Sequence, residues 1–150
     1  MTSATILVPI DFEEGSLHAL RVASELAVKL DARVVLLHVY TLPVYLYPGM
    51  APIQAPTLDV EVEAAAKKAL DDLASRAGGL RAILRSGDAA TRILEAIDEI
   101  DPSLVVMGTH GRRGVTRVLL GSVAEYVARR SKVPVMTVRP PEPAPEARAP

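Results

Sequence analysis

The sequence predicts an α/β fold: a doubly wound parallel sheet of five strands with helices on both faces, Rossmann-like in class. Three observations carry this. Short apolar runs alternate with amphipathic helical stripes along the chain. The runs are apolar at nearly every position, as strands buried on both faces require. A glycine-rich stretch separates the fourth run from the last helical stripe, the place where such sheets hold ligands.

Thr5 to Ile10 is the first apolar run, with Pro9 placed near its end because proline cannot donate a ladder hydrogen bond. Asp11 follows at the strand's C-terminal edge. Between Gly15 and Leu30, Ala19, Leu20, Ala23, Leu26, Ala27 and Leu30 form a helical stripe, ended by Asp31. Ala32 to Val39 is the second strand, so the opening is a right-handed βαβ unit. Tyr40 to Asp59 holds Pro43, Pro48, Pro52, Pro56 and Gly49 and reads as a long surface loop, apolar through its tyrosines and Leu42, Val44 and Leu46. Val62, Ala66, Ala69, Leu70, Leu73 and Ala77 mark a second helix, terminated by Gly78 and Gly79. Leu80 to Leu84 is a third strand. Gly87 turns the chain, and Asp88 caps a third helix lined by Ile93, Leu94, Ile97 and Ile100, which must stop before Pro102. Ser103 to Met107 is the fourth strand. Ser122 and Glu125 read as a capping box opening a fourth helix whose Val123, Tyr126 and Val127 face inward. Val133 to Val138 is the fifth strand. The domain spans 1–139. Residues 140–150 hold five prolines without apolar periodicity and read as a disordered tail.

At 150 residues the chain is long enough for one substantial core. Its 49% apolar and 23% charged residues suit a water-soluble domain, and a net charge of −1 supplies no field to draw nucleic acid or anionic lipid. The chain has no cysteine, which excludes disulfides, thiol catalysis and thiolate metal sites. Neither a signal peptide nor a membrane span is evident, so a cytoplasmic protein is expected, with no membrane and no nucleic-acid partner.

The glycine stretch carries the chemistry. Gly108, Gly111, Gly121 and Ser122 are spaced G-x2-G-x9-G-S. Glycines admit close backbone approach to an anion, and free amides at the following helix N-terminus attract it. The plainer reading is loop chemistry, with glycines serving tight turns and Ser122 serving as a cap. Arg112, Arg113 and Arg117 offer guanidinium groups suited to phosphate oxygens, or a solvated basic loop. The pattern is neither a P-loop nor the dinucleotide fingerprint. Asp11 suits a ribose hydroxyl, a metal ion or a turn. His18, His38 and His110 lack metal-ligand spacing, and His38, inside a strand, reads as a satisfied core histidine.

With Ile6 to Asp11, Leu36 to Val39 and Pro134 to Val138 in the same order along the chain, the glycine spacing resembles that of the nucleotide-binding universal stress proteins. The resemblance implies strand order 3-2-1-4-5 and an ATP site. Adenine would lie against Pro9, Ile10 and the Val39 backbone, with Gly87 bordering. Asp11 would face the ribose, and Met107 and Gly108 would flank it. Gly111, Gly121, Ser122 and Val123, with Arg112 and Arg113, would hold phosphates, bridged by Mg²⁺. No catalytic residue is evident. A homodimer through strand 133–138 is implied. A slow ATPase or autophosphorylating enzyme, and a dimeric interaction module that does not use nucleotide, remain as alternatives.

Overall fold

A computed structural model describes residues 3–44, 46–53, 56–109 and 120–141. Along the chain run β1 (Ala4–Ile10), α1 (Glu14–Leu30), β2 (Ala32–Tyr40), α2 (Pro56–Arg76), β3 (Arg81–Ser86), α3 (Ala89–Ile100), β4 (Leu104–Gly108), α4 (Ser122–Arg130) and β5 (Val135–Val138). The five strands form one parallel sheet in the order β3-β2-β1-β4-β5.

Alternate residues of each central strand feed two cores, one on each face of the sheet. Ile6, Val8, Ile10, Val34, Leu36 and Val106 pack under α1 and α2, against Ala19, Leu20, Ala23 and Ala27 of the first and Leu70 and Ala74 of the second. Leu7, Val35, Leu37, Val105 and Met107 pack on the other face, against Ala90, Ile93, Ala96 and Ile97 of α3 and Ala124 and Val127 of α4. Burial on both faces is why these runs are apolar throughout rather than alternating.

Helix ends follow local chemistry. Asp31 and Asp101 close α1 and α3 in the left-handed conformation, each donating its N–H to the carbonyl four residues back. Gly78 and Gly79, both at positive φ, end α2, where Gly79 and Leu80 donate to the Ala74 carbonyl.

Several details differ from the sequence reading. α2 begins at Pro56, inside the expected loop, because proline's fixed φ and missing N–H suit a first helical turn. Leu30 is 58% exposed: the buried stripe of α1 runs out where Asp31 turns the chain away. Tyr126 is also exposed, its ring lying under the Arg130 guanidinium 4.3 Å away, so Ala124 rather than Tyr126 fills the inner face of α4. β5 starts at Val135. Pro134 stays outside the strand, although its carbonyl accepts from the Val105 N–H. No helix among the described residues is long and apolar enough to cross a membrane.

Candidate functional site

All strands point the same way, so their C-terminal ends share one edge of the sheet. Ile10, Tyr40, Ser86, Gly108 and Val138 end there. β1 pairs with β2 through Ile10↔His38, but with β4 only at Ile6↔Leu104 and Leu7↔Val105. Beyond Leu7 the two middle strands part. Pro9, which has no N–H to donate, falls just past that point. The strand order reverses between β1 and β4, so this is the crevice at which doubly wound sheets take ligands.

One wall of the crevice is the β1–α1 turn. The Asp11 N–H donates to Ser16 Oγ at 3.2 Å, Asp11 Oδ1 accepts from the Glu13 N–H at 2.9 Å, and Ser16 Oγ donates to the Glu13 carbonyl at 3.1 Å. Among the described residues, only one oxygen of the Asp11 carboxylate is used. Phe12 takes φ 64°, a left-handed conformation that is costly for a bulky residue. Residues Ser16 and Phe12 carry this geometry, and sequence reasoning passed over both. A serine early in a helix was the available signal for the first, and nothing in the sequence marks the second.

The opposite wall is the end of β4 and the start of α4. A Cβ on Gly108 would lie 2.9 Å from the Gly15 carbonyl carbon, so only glycine lets the end of β4 approach the first turn of α1 this closely. Thr109, buried, donates its N–H to the Val138 carbonyl and accepts at its own carbonyl from the Gly121 N–H. That pair of bonds brings Gly121 back beside β4. Gly121 is the N-cap of α4, with no side-chain cap, and Ser122 is the first helical residue. The expected capping box is therefore absent. The helix starts one residue earlier than that motif needs, and Glu125 pairs with Arg129 at 2.8 Å instead. Ser122 is exposed and its hydroxyl makes no hydrogen bond to a described residue, and the first amides of the helix lack a side-chain acceptor among the described residues.

Val39 and Gly87 sit at the β2 and β3 ends. The Gly87 N–H donates to the Tyr40 carbonyl at 3.0 Å, and Gly87 takes φ 125°, which favours glycine. The Arg92 side chain lies across it, with Nε donating to the Ser86 carbonyl at 2.8 Å. The side chains of Ile10 and Met107 belong to opposite cores, leaving their backbones at the crevice edge. Pro9, Asp11, Val39, Gly87, Gly108, Gly121, Ser122 and Val123 thus share the edge where the strands end and α4 begins. Gly111, Arg112, Arg113, Arg117 and His110 lie outside the described residues. His38 is satisfied within the fold, its Nδ1 2.7 Å from the Ile10 carbonyl. Among the described residues no three His, Cys, Asp or Glu side chains gather to hold a metal ion.

A five-stranded parallel sheet in the order β3-β2-β1-β4-β5, with helices on both faces, defines a doubly wound α/β protein, and doubly wound sheets hold their ligands at the point where the strand order reverses. Residues 3–139 match the universal stress protein family, and the chain belongs to it. It is 30% identical over 140 residues to universal stress protein MJ0531 of Methanocaldococcus jannaschii, covering 91% of this chain and 82% of that one. Among solved structures, UspA of Lactobacillus plantarum superposes with a TM-score of 0.74 at 25% identity, covering 93% of this chain and 99% of the other. A universal stress protein solved in complex with cAMP superposes at 0.58 with 27% identity, covering 94% and 100%.

Proposed function

We propose that the chain is a cytoplasmic ATP-binding universal stress protein whose nucleotide state regulates a stress response. One observation carries the reading. The β1–β4 edge of the sheet carries a carboxylate, Asp11, with one oxygen unpartnered among the described residues, and a helix N-terminus whose first amides and Ser122 hydroxyl have no side-chain partner among those residues. A nucleotide needs that division of labour: an acceptor for the ribose hydroxyls, and amide donors with a positive dipole end for the phosphates. The cAMP complex of a related protein supports an adenine nucleotide as the ligand.

In this reading adenine rests against Pro9, the Ile10 backbone and the Val39 backbone, with Gly87 beside it. Asp11 accepts from the ribose, flanked by the backbones of Met107 and Gly108. Gly111, Gly121, Ser122 and Val123 hold the phosphates, and Arg112 and Arg113 add charge. Mg²⁺ would be held mainly by phosphate oxygens and water, as this cation commonly is. The protein acts as a homodimer through β5.

Calorimetry with ATP and Mg²⁺ on the wild type and on Gly121→Val tests the assignment. Gly121 already has a φ of −60° and ψ of 154°, which valine adopts freely, so the fold should persist while the side chain intrudes where phosphate meets backbone. Saturable binding lost in the variant is the expected result. Equal affinity in both would remove phosphate from this helix start.

A further inference from the structure

We propose that His38 is a positioning residue for the nucleotide site, fixing the turn that presents Asp11. The proposal rests on the nucleotide-binding reading. His38 lies on β2 directly beside Ile10 of β1 in the sheet register. Its Nδ1 is 2.7 Å from the Ile10 carbonyl oxygen. A carbonyl can only accept, so Nδ1 carries the hydrogen and donates. The same ring meets Phe12 edge-on, with centroids 4.6 Å apart and planes at 60°. Ile10 and Phe12 are the residues on either side of Asp11, so one imidazole holds both neighbours of the carboxylate.

The turn needs such a hold. β1 has left its ladder with β4 after Leu7, so Ile10 lacks that strand's support. Phe12 is kept in a left-handed backbone conformation that a phenylalanine adopts only when its surroundings enforce it. From the other side, Ser16 Oγ accepts from the Asp11 N–H. His38 and Ser16 together set where the Asp11 backbone lies. The Asp11 Oδ1 bond to the Glu13 N–H then sets the rotamer of the carboxylate. A carboxylate held in this way before the ligand arrives loses less freedom on binding.

Two nearly isosteric variants isolate the hydrogen bond. His38→Asn places an amide donor near the position of Nδ1, whereas His38→Leu fills similar volume without a donor. Both lose the ring contact with Phe12. Amide hydrogen exchange at Asp11 and Glu13 is measured without nucleotide, and ATP affinity and Tm are measured on the same proteins. Faster exchange at both amides is expected in His38→Leu than in His38→Asn. ATP affinity should be lower in the leucine variant by roughly three- to tenfold, the size of one net hydrogen bond. In an Asp11→Asn background, which keeps an oxygen for Glu13 but removes the charge, the affinity gap should shrink while the exchange gap persists. Identical exchange and affinity in the two variants would overturn the proposal. So would an affinity gap undiminished by Asp11→Asn. A wild type that binds no ATP would remove the nucleotide reading. The exchange comparison would then decide alone whether His38 holds the turn.

Discussion

Asp88 accepts two hydrogen bonds from Thr91 at the start of α3, from the backbone N–H at 3.0 Å and from the hydroxyl at 2.8 Å. These bonds, the backbone one foremost, hold its carboxyl below the ordinary carboxylate value. Asp88→Ala should cost about 0.5–2 kcal/mol, toward the lower end because the group is exposed, and thermal unfolding will measure it. The sign with pH follows from the lowered value. The unfolded chain takes up the proton first, so the contribution is full above about pH 4 and is lost as acid protonates the folded carboxyl. The difference in Tm between wild type and variant should therefore narrow below that pH. Gly108 makes a different demand. Its missing Cβ is what lets β4 meet the backbone of Gly15, and backbone cannot swing aside as a side chain can. Gly108→Ala should lower stability by about 1–3 kcal/mol, measured by denaturant unfolding, even without nucleotide. Unchanged stability would leave ligand contact as the only reason for glycine there.

At the scale of elements, the regular periods were legible and the irregular junctions were not. The apolar runs of β1, β2 and β4 and the stripe of α3 announce themselves because each buries a continuous face. Asp88, Pro102 and the Gly78–Gly79 pair mark ends through chemistry that acts within a few residues. The start of α4 could not be fixed so easily. Ser122 and Glu125 have capping-box spacing, but tertiary bonds from Thr109 pull Gly121 into the N-cap instead, and a local pattern cannot contain that. The β1–α1 turn was hidden for the same reason. Phe12 and His38 are far apart in sequence, and only the β1–β2 register brings them together. The displaced cap separates stability from binding at Ser122. Its hydroxyl caps nothing in the helix, so Ser122→Ala should leave Tm nearly unchanged, where removal of a true serine cap costs about 1 kcal/mol. ATP affinity should nonetheless fall by roughly 0.5–1.5 kcal/mol, the net worth of one hydrogen bond, when followed by calorimetry. A stability loss without an affinity loss would restore the capping role.

At the scale of the whole molecule, β5 is the edge strand of the sheet among the described residues, and its form there bears on assembly. Edge strands present unpaired amides and carbonyls, and soluble proteins usually blunt them with charge, proline or a covering element. β5 spans only Val135–Val138 and carries no charged residue. Pro134 lies outside the strand, so it does not interrupt the ladder. Met136 and Thr137 are exposed, and Val135 and Val138 are half-buried, so apolar surface borders the open ladder on both faces. A second copy related by a two-fold axis would run antiparallel to this strand, pair its free groups and cover Met136. Such a contact would be self-complementary, because each copy would offer the other the same edge. Four residues of ladder alone would make a small contact, and a dimer of this kind would therefore depend on the apolar side chains beside it. Light scattering should give a mass near twice the 16.0 kDa of one chain. Met136→Lys should shift the protein toward monomer, because the contact would enclose an ammonium with no opposite charge within the strand. The same variant should keep its Tm when measured at concentrations where the wild type is already dissociated, since Met136 is more than a third exposed in the single chain. A wild type that stays monomeric at micromolar concentration would refute pairing through β5. A dimer that persists in Met136→Lys would place the interface on another surface. The next candidate would be the segment between β2 and α2, where Leu46, Tyr47 and Met50 are exposed together.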